Sequence, residues 1–143
     1  MKNILLAISI VFITSPIYSQ NAVEYYNRGI DKYNNKDYKG AIDDYTKAIE
    51  INPKYADAYN NRGNSKGKIQ DFYGAIDDLN KSIEINSKYE DAYYNRGTVK
   101  TSIKDYNGAI ADFSEALKIN PNYAFAFLNR GIAKEYLQDY NGA

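Results

Sequence analysis

The 143-residue chain contains no cysteine and no histidine. Their absence excludes disulfides, thiolate nucleophiles, imidazole bases and zinc sites with Cys or His ligands, leaving little of the usual catalytic inventory. Net charge is missing too, because 18 Lys plus Arg balance 18 Asp plus Glu. Bulk charge therefore offers no surface for nucleic acid or an anionic membrane. Proline is scarce, with three residues in all. No apolar run reaches the roughly 20 residues that a bilayer-spanning helix needs. Tyrosine, by contrast, is abundant, at 16 residues.

Residues 1–20, MKNILLAISIVFITSPIYSQ, resemble a secretory signal peptide: a basic Lys2, an apolar run from Ile4 to Ile13, then Pro16 and the small Ser19. Cleavage after Ser19 is expected, giving a mature domain over residues 20–143 in the periplasm or outside the cell. An uncleaved N-terminal anchor is the alternative. No Cys follows the run, so a lipoprotein is excluded.

The remainder repeats itself every 34 residues. Gly29, Gly63, Gly97 and Gly131 are one landmark; Ala41, Ala75, Ala109 and Ala143 are another, with no insertion between copies. The copies run 22–55, 56–89 and 90–123, with a partial copy at 124–143. Such spacing marks stacked supersecondary units, none of which could bury its apolar face alone.

Each copy carries a helical hydrophobic period on both sides of a polar break. In the second copy Tyr59, Gly63 and Lys66 share a stripe of the first helix (A), while Ala75, Leu79, Ser82 and Ile83 share one of the second (B). Asp37, Asp71, Asp105 and Asp139 fall at the start of helix B, where a carboxylate accepts from unpaired backbone donors. Asn52-Pro53 and Asn120-Pro121 end helix B, since the ring cannot continue it. The second copy has Asn86-Ser87 instead, so a softer boundary is expected there. Small Gly63 and Ala75 with their equivalents let the two helices approach closely. Gly40, Gly74 and Gly108 in the first turn of helix B suggest close approach of the preceding helix.

A 34-residue helix pair with Tyr25, Gly29, Tyr38, Ala41, Tyr45, Ala48 and Pro53, and again Tyr93, Gly97, Tyr106, Ala109, Phe113, Ala116 and Pro121, resembles the tetratricopeptide repeat. That resemblance covers nearly the whole mature chain. It implies an all-α solenoid of antiparallel helix pairs in a right-handed superhelix, whose A helices line a concave groove for peptide segments of other proteins. One departure is Arg at repeat position 7, commonly Leu in the family: Arg28, Arg62, Arg96 and Arg130. Pairing with Asp44, Asp78 and Asp112 of the same copy's helix B is the favoured reading, because unpaired guanidinium groups near a core are costly. An anion-binding ladder is the alternative.

At about 100 degrees per residue, positions 4, 8 and 11 of helix A face helix B, so positions 2, 5, 6, 9, 12 and 13 form the opposite arc. That arc supplies the candidate partner-binding residues. They are Tyr26, Asn27, Ile30 and Tyr33 in the first copy, Asn60, Asn61 and Asn64 in the second, and Tyr94, Asn95 and Thr98 in the third. The partial copy adds Phe125, Leu128, Asn129, Ile132 and Tyr136. Val23, Asp57, Lys68 and Asp91 share the arc, which reads as a polar middle between apolar ends. Tyr26, Tyr33, Tyr94 and Tyr136 favour an interface, where tyrosine gives contact area and a polar tip; covering the neighbouring A helices is the alternative. Asn27, Asn61, Asn95 and Asn129 suit either the backbone of an extended ligand or hydrogen bonds between repeats. Relatives that clamp a C-terminal carboxylate use such asparagines beside Lys or Arg at positions 2, 5 and 6; positions 2 and 5 carry no cation here and only Asn64 and Asn95 match that clamp, so binding of chaperone tails is not carried over.

Two other patterns carry no chemistry. GNSKGK at 63–68 is one residue short of a phosphate loop and lies in a helix, and the Asn80-Lys81-Ser82 glycosylation pattern is mid-helix. The expectation is a non-enzymatic exported scaffold that holds a protein partner, with no cofactor, metal or nucleic acid and no membrane insertion of the mature domain. The alternative is the sensory or assembly arm of a larger envelope protein, such as a membrane-bound receptor. In the partial copy Phe127, Leu137 and Tyr140 lack a covering helix B, and self-association through that end is an expected possibility.

Overall fold

The structure is a computed structural model that describes residues 16–142, with side chains from Asn21 to Gln138. The leader assigned to residues 1–19 lies outside the described residues, apart from Pro16–Ser19 in the first helix. Seven helices follow in order: α1 (Pro16–Asn34), α2 (Tyr38–Ile51), α3 (Ala56–Lys68), α4 (Phe72–Ile85), α5 (Glu90–Ser102), α6 (Tyr106–Ile119) and α7 (Ala124–Gly142). Among the described residues there is no strand, and no helix is long and apolar enough to cross a membrane.

Each hairpin is set by the same polar turn. Helix A ends on a residue in the left-handed region, Lys36 (φ 63°), Gln70 (φ 65°) or Lys104 (φ 64°). The next N–H, of Asp37, Asp71 or Asp105, closes back on the carbonyl of Lys32, Lys66 or Lys100 at 2.9, 3.0 and 2.9 Å. This is a Schellman closure built without glycine. The same aspartates cap helix B, their Oδ1 accepting from the N–H of Gly40, Gly74 and Gly108 at 2.9, 3.1 and 2.9 Å. A Cβ on Gly40 would lie 2.2 Å from Asp37 Oδ2. The recurrent glycine is therefore explained by the folded-back carboxylate, and not by the preceding helix.

Helix B ends identically in all three copies, at Ile51, Ile85 and Ile119. The softer boundary expected at Asn86-Ser87 is absent because the asparagine makes the turn: Asn52, Asn86 and Asn120 each accept, through Oδ1, from the backbone N–H two residues on, at 3.2, 3.1 and 3.1 Å. The fourth copy differs. A turn before Asp139 was expected, yet α7 runs unbroken from Ala124 to Gly142.

The core follows the small-residue pattern. Ala41, Ala48, Ala58, Ala75, Ala92, Ala109, Ala116, Ala126 and Ala133 are fully buried, with Tyr45, Leu79 and Phe113 filling the space between. A Cβ on Gly63 would sit 2.9 Å from Leu79 Cγ and 3.0 Å from the Ala75 carbonyl, so the approach of α3 to α4 requires glycine there. On α7 the equivalent Gly131 has nothing within 4 Å, and Phe127 is 66% exposed.

The arginines pair as expected. Nε of Arg28, Arg62 and Arg96 donates to Oδ2 of Asp44, Asp78 and Asp112 at 2.8, 2.8 and 2.9 Å, and Nη2 reaches Oδ1 in each case. Each aspartate also takes a lysine, Lys32, Lys66 or Lys100, at 2.8 Å. The arginines stitch the stack as well: Arg62 donates to Thr46 at 3.1 Å, Arg96 to Asn80 at 2.6 Å and Arg130 to Ser114 at 3.4 Å, each in the preceding copy. Asn80 is thereby occupied and Ser82 is buried, donating to the Ala56 carbonyl at 2.9 Å, so the glycosylation pattern serves packing.

Candidate functional site

Within each repeat, A packs on B and B packs on the next A. Across repeats α1 meets α3, α3 meets α5 and α5 meets α7, while α2, α4 and α6 do not touch one another. The A helices are therefore the inner layer of the curved stack, and the arc opposite their B partners lines its concave side.

The tyrosines on this arc are anchored from below. Tyr26 packs on Tyr55 and Tyr45, with ring centroids at 4.9 and 5.8 Å, and Tyr94 packs the same way on Tyr123 and Phe113 at 5.0 and 5.8 Å. Tyr33 stands edge-on to Tyr38 at 5.3 Å, and Tyr136 stacks on Tyr106 at 5.5 Å. All four cover neighbouring helices. Tyr26 and Tyr94 are half-buried, whereas Tyr136 is 49% exposed.

The asparagines divide between the two readings. Asn61 donates to Tyr26 Oη at 3.0 Å, Asn129 to Tyr94 Oη at 3.0 Å, and Asn95 to Asn60 Oδ1 at 2.9 Å. Three of the four thus bind the preceding copy, and the exposed Asn27 has no copy before it. Asn60, expected in the groove, is instead buried at 4% exposure. Where copies one and three put Tyr26 and Tyr94, Asn60 fills a smaller space and donates to Asn61 and to Tyr89 Oη at 3.1 and 3.5 Å.

Burial keeps these phenols protonated. It pushes Tyr26 up to about 12, aided by the charge of Asp57 and by Tyr55 and opposed by the Asn61 hydrogen bond. Burial likewise raises Tyr45, Tyr89 and Tyr123, with the negative charge of Asp57 adding to it at Tyr89 and the 2.6 Å hydrogen bond that Tyr123 donates to Asp91 adding to it there. The exposed Asp91 at the rim is thus held by the Tyr123 hydroxyl.

What remains open is a row of three equivalent clefts, one at each step between A helices. The first, about 220 Å³, lies among Ile30, Tyr33, Asn34, Tyr45, Asn61 and Asn64. The third, about 210 Å³, lies among Thr98, Thr101, Ser102, Phe113, Asn129 and Ile132. The middle one, about 130 Å³, lies between Asn64, Gly67 and Lys68 on α3 and Asn95, Thr98 and Ser102 on α5, with Phe72 and Val99 as its apolar lining. Repeat positions 6, 9 and 13 recur in all three. Ile30, Asn64, Thr98 and Ile132 thus line the groove, and Val23, Phe125 and Leu128 are exposed at 46, 67 and 59% on the end helices. Sequence reasoning missed the floors, Tyr45 and Phe113. The signal was the glycine opposite: a Cβ on Gly29 or Gly97 would meet these rings at 2.6 and 2.8 Å, so the ring passes under helix A to the back of the cleft and stays buried there. Among the described residues no group of acidic side chains is placed to hold a metal ion.

These features define a class of protein, an all-α solenoid of antiparallel helix hairpins. A family model described as TPR repeat matches residues 29–70, and two described as tetratricopeptide repeat match 56–89 and 90–123. The chain belongs to the tetratricopeptide repeat family. No curated protein matches it. Solved structures do. The first TPR of Spaghetti (RPAP3) bound to the HSP90 peptide SRMEEVD is 26% identical with a TM-score of 0.81, over 83% of this chain and 94% of that one. The Arabidopsis OM64 TPR domain is 29% identical with a TM-score of 0.79, over 86% and 98%. The second TPR domain of human RPAP3 with the HSP70 peptide SGPTIEEVD is 27% identical with a TM-score of 0.78, over 82% and 98%.

Proposed function

We propose that this protein is an exported, non-enzymatic scaffold that holds an extended segment of a partner protein in the groove of α1, α3, α5 and α7. The observation that carries it is the row of three clefts, one at each step between A helices and each lined by repeat positions 6, 9 and 13. Two similar structures hold peptides, from HSP90 and HSP70, which supports the same class of ligand here. Their acidic ends do not suit this groove, because Asp57 and Asp91 stand at its rim and position 2 and 5 carry no cation. Export rests on the pattern of residues 1–19, and cleavage after Ser19 leaves the whole repeat body from Ala22 intact; the N-terminal sequence of protein recovered from the exported fraction tests it.

The groove is tested by panning the protein against a random peptide display library beside an Ile30→Asp/Ile132→Asp variant. Peptides enriched on the native protein and lost on the variant, with unchanged circular dichroism, are the expected result. Equal enrichment on both removes the groove as the binding face.

A further inference from the structure

We propose that the open face of α7 is a docking site for an amphipathic helix of a partner protein, one whose buried stripe runs from a small residue through x-x-Asp to a large apolar side chain. This face is the side of α7 turned away from the groove, so it stands apart from the reading above.

The three complete copies show what such a face takes. In each, helix B lays a buried stripe on helix A: Ala-x-x-Asp-Tyr from Ala41, Ala-x-x-Asp-Leu from Ala75 and Ala-x-x-Asp-Phe from Ala109. The large side chain seats over the buried glycine of helix A, since a Cβ on Gly29, Gly63 or Gly97 would lie 2.6, 2.9 or 2.8 Å from Tyr45, Leu79 or Phe113. The aspartate enters a fork of one arginine and one lysine.

Helix α7 keeps its half of that contact. Gly131 is exposed, with nothing within 4 Å of an added Cβ, and Phe127 one turn before it is 66% exposed. Arg130 stands as its equivalents do. Its guanidinium lies 5.5 Å over the Phe127 ring, as Arg62 and Arg96 lie 5.5 Å over Tyr59 and Tyr93, and its Nη1 donates to the preceding copy as theirs do. The Nε–Nη2 edge, which grips an aspartate in Arg28, Arg62 and Arg96, is the edge left over. Lys134, at the position of Lys32, Lys66 and Lys100, is exposed, and neither cation makes an ion pair among the described residues.

Two cations beside a hole for one large side chain match an acid and an apolar group adjacent on one helix. The three helices of this chain that carry the stripe are already spent on α1, α3 and α5, so the occupant comes from elsewhere. A second copy's α7 does not serve, because it would bring the same two cations against Arg130 and Lys134.

Fluorescence anisotropy tests this with a labelled peptide of residues 105–120, the α6 sequence, beside its Asp112→Lys comparator. The full chain is expected to bind the first about tenfold tighter than the second. Gly131→Leu, set in open space, is expected to weaken that binding about tenfold by filling the hole. Arg130→Glu/Lys134→Glu is expected to reverse the preference between the two peptides. No binding, equal binding of both peptides, or binding that Gly131→Leu leaves intact overturns the inference. A dimer in sedimentation that Gly131→Leu dissociates overturns it as well, because a second copy would then be the occupant.

Discussion

Asp78 is the residue whose removal should do most damage for its size. Its carboxylate is 4% exposed and receives Arg62 through Nε and Nη2 at 2.8 and 2.6 Å and Lys66 at 2.8 Å. The cationic side chains are themselves only 15 and 21% exposed. Asp78→Ala leaves two neighbouring cations, partly desolvated, with nothing to neutralise them. Deleting one partner of a buried ion pair costs about 3–5 kcal/mol, and the lower end applies because both cations can lean outward. With a urea dependence of about 1–3 kcal/mol per molar, a loss of about 3 kcal/mol should lower the unfolding midpoint by about 1–3 M. Far-UV circular dichroism in a urea titration reads this directly. The control is the apolar exchange Arg62→Met/Lys66→Met/Asp78→Leu, which removes the charges together and should stay within about 1 kcal/mol of the native protein. A loss under about 1 kcal/mol for Asp78→Ala would refute the reasoning. So would a triple exchange as damaging as the single one, because the network would then stabilise the fold beyond neutralising itself.

Acid should act through the same network in the first copy. The Arg28 hydrogen bonds, against burial and with Lys32 assisting, hold the Asp44 carboxyl at about 2, below its ordinary 3.8. Its contribution is therefore complete above pH 3.8 and is lost as pH falls through 2; a pH series of thermal unfolding should show that limb flattened in Asp44→Asn. Gly63→Ala meets Leu79 and the Ala75 carbonyl at 3.0 Å or less and should cost about 1–3 kcal/mol, whereas Gly131→Ala, with open space around it, should gain up to about 1 kcal/mol of helix propensity. Equal effects in a chemical denaturation would contradict the close-approach account. Gln70→Gly relieves a left-handed residue at φ 65° and should stabilise by about 0.5–1 kcal/mol after glycine's greater unfolded freedom is subtracted. A melting temperature below the native value would contradict it.

The hairpins were legible because their determinants are local and repeated. Asp37, Asp71 and Asp105 announce a cap, and the 16-residue interval from each arginine to its aspartate recurs three times. Lys32, Lys66 and Lys100 were as periodic, but a helical projection puts them on the packed stripe without naming the carboxylate they reach. The groove was less legible, because a projection gives a side chain's direction from its own axis and says nothing of what the next helix already occupies. Asn60 pointed the right way and was enclosed by Asn61, Tyr89 and Asn95. Tyr26 and Tyr94 did so and became walls.

The two outcomes follow one rule inside this chain. Positions held constant from copy to copy, the Arg, Gly, Lys and Asp of each hairpin, are spent on closing it. Positions facing the groove that change between copies are not: Ile30, Asn64, Thr98 and Ile132 at position 9, and Asn34, Lys68, Ser102 and Tyr136 at position 13. A stack whose hairpins must be interchangeable cannot vary its packing residues without breaking register, so discrimination between partners has to be written at the positions that stacking leaves alone. Positions 9 and 13 line the three clefts beside the constant asparagine of position 6, which stacking already uses, and Lys68, the one cation lining them among the described residues, is where a change of charge should change the partner and leave the fold untouched.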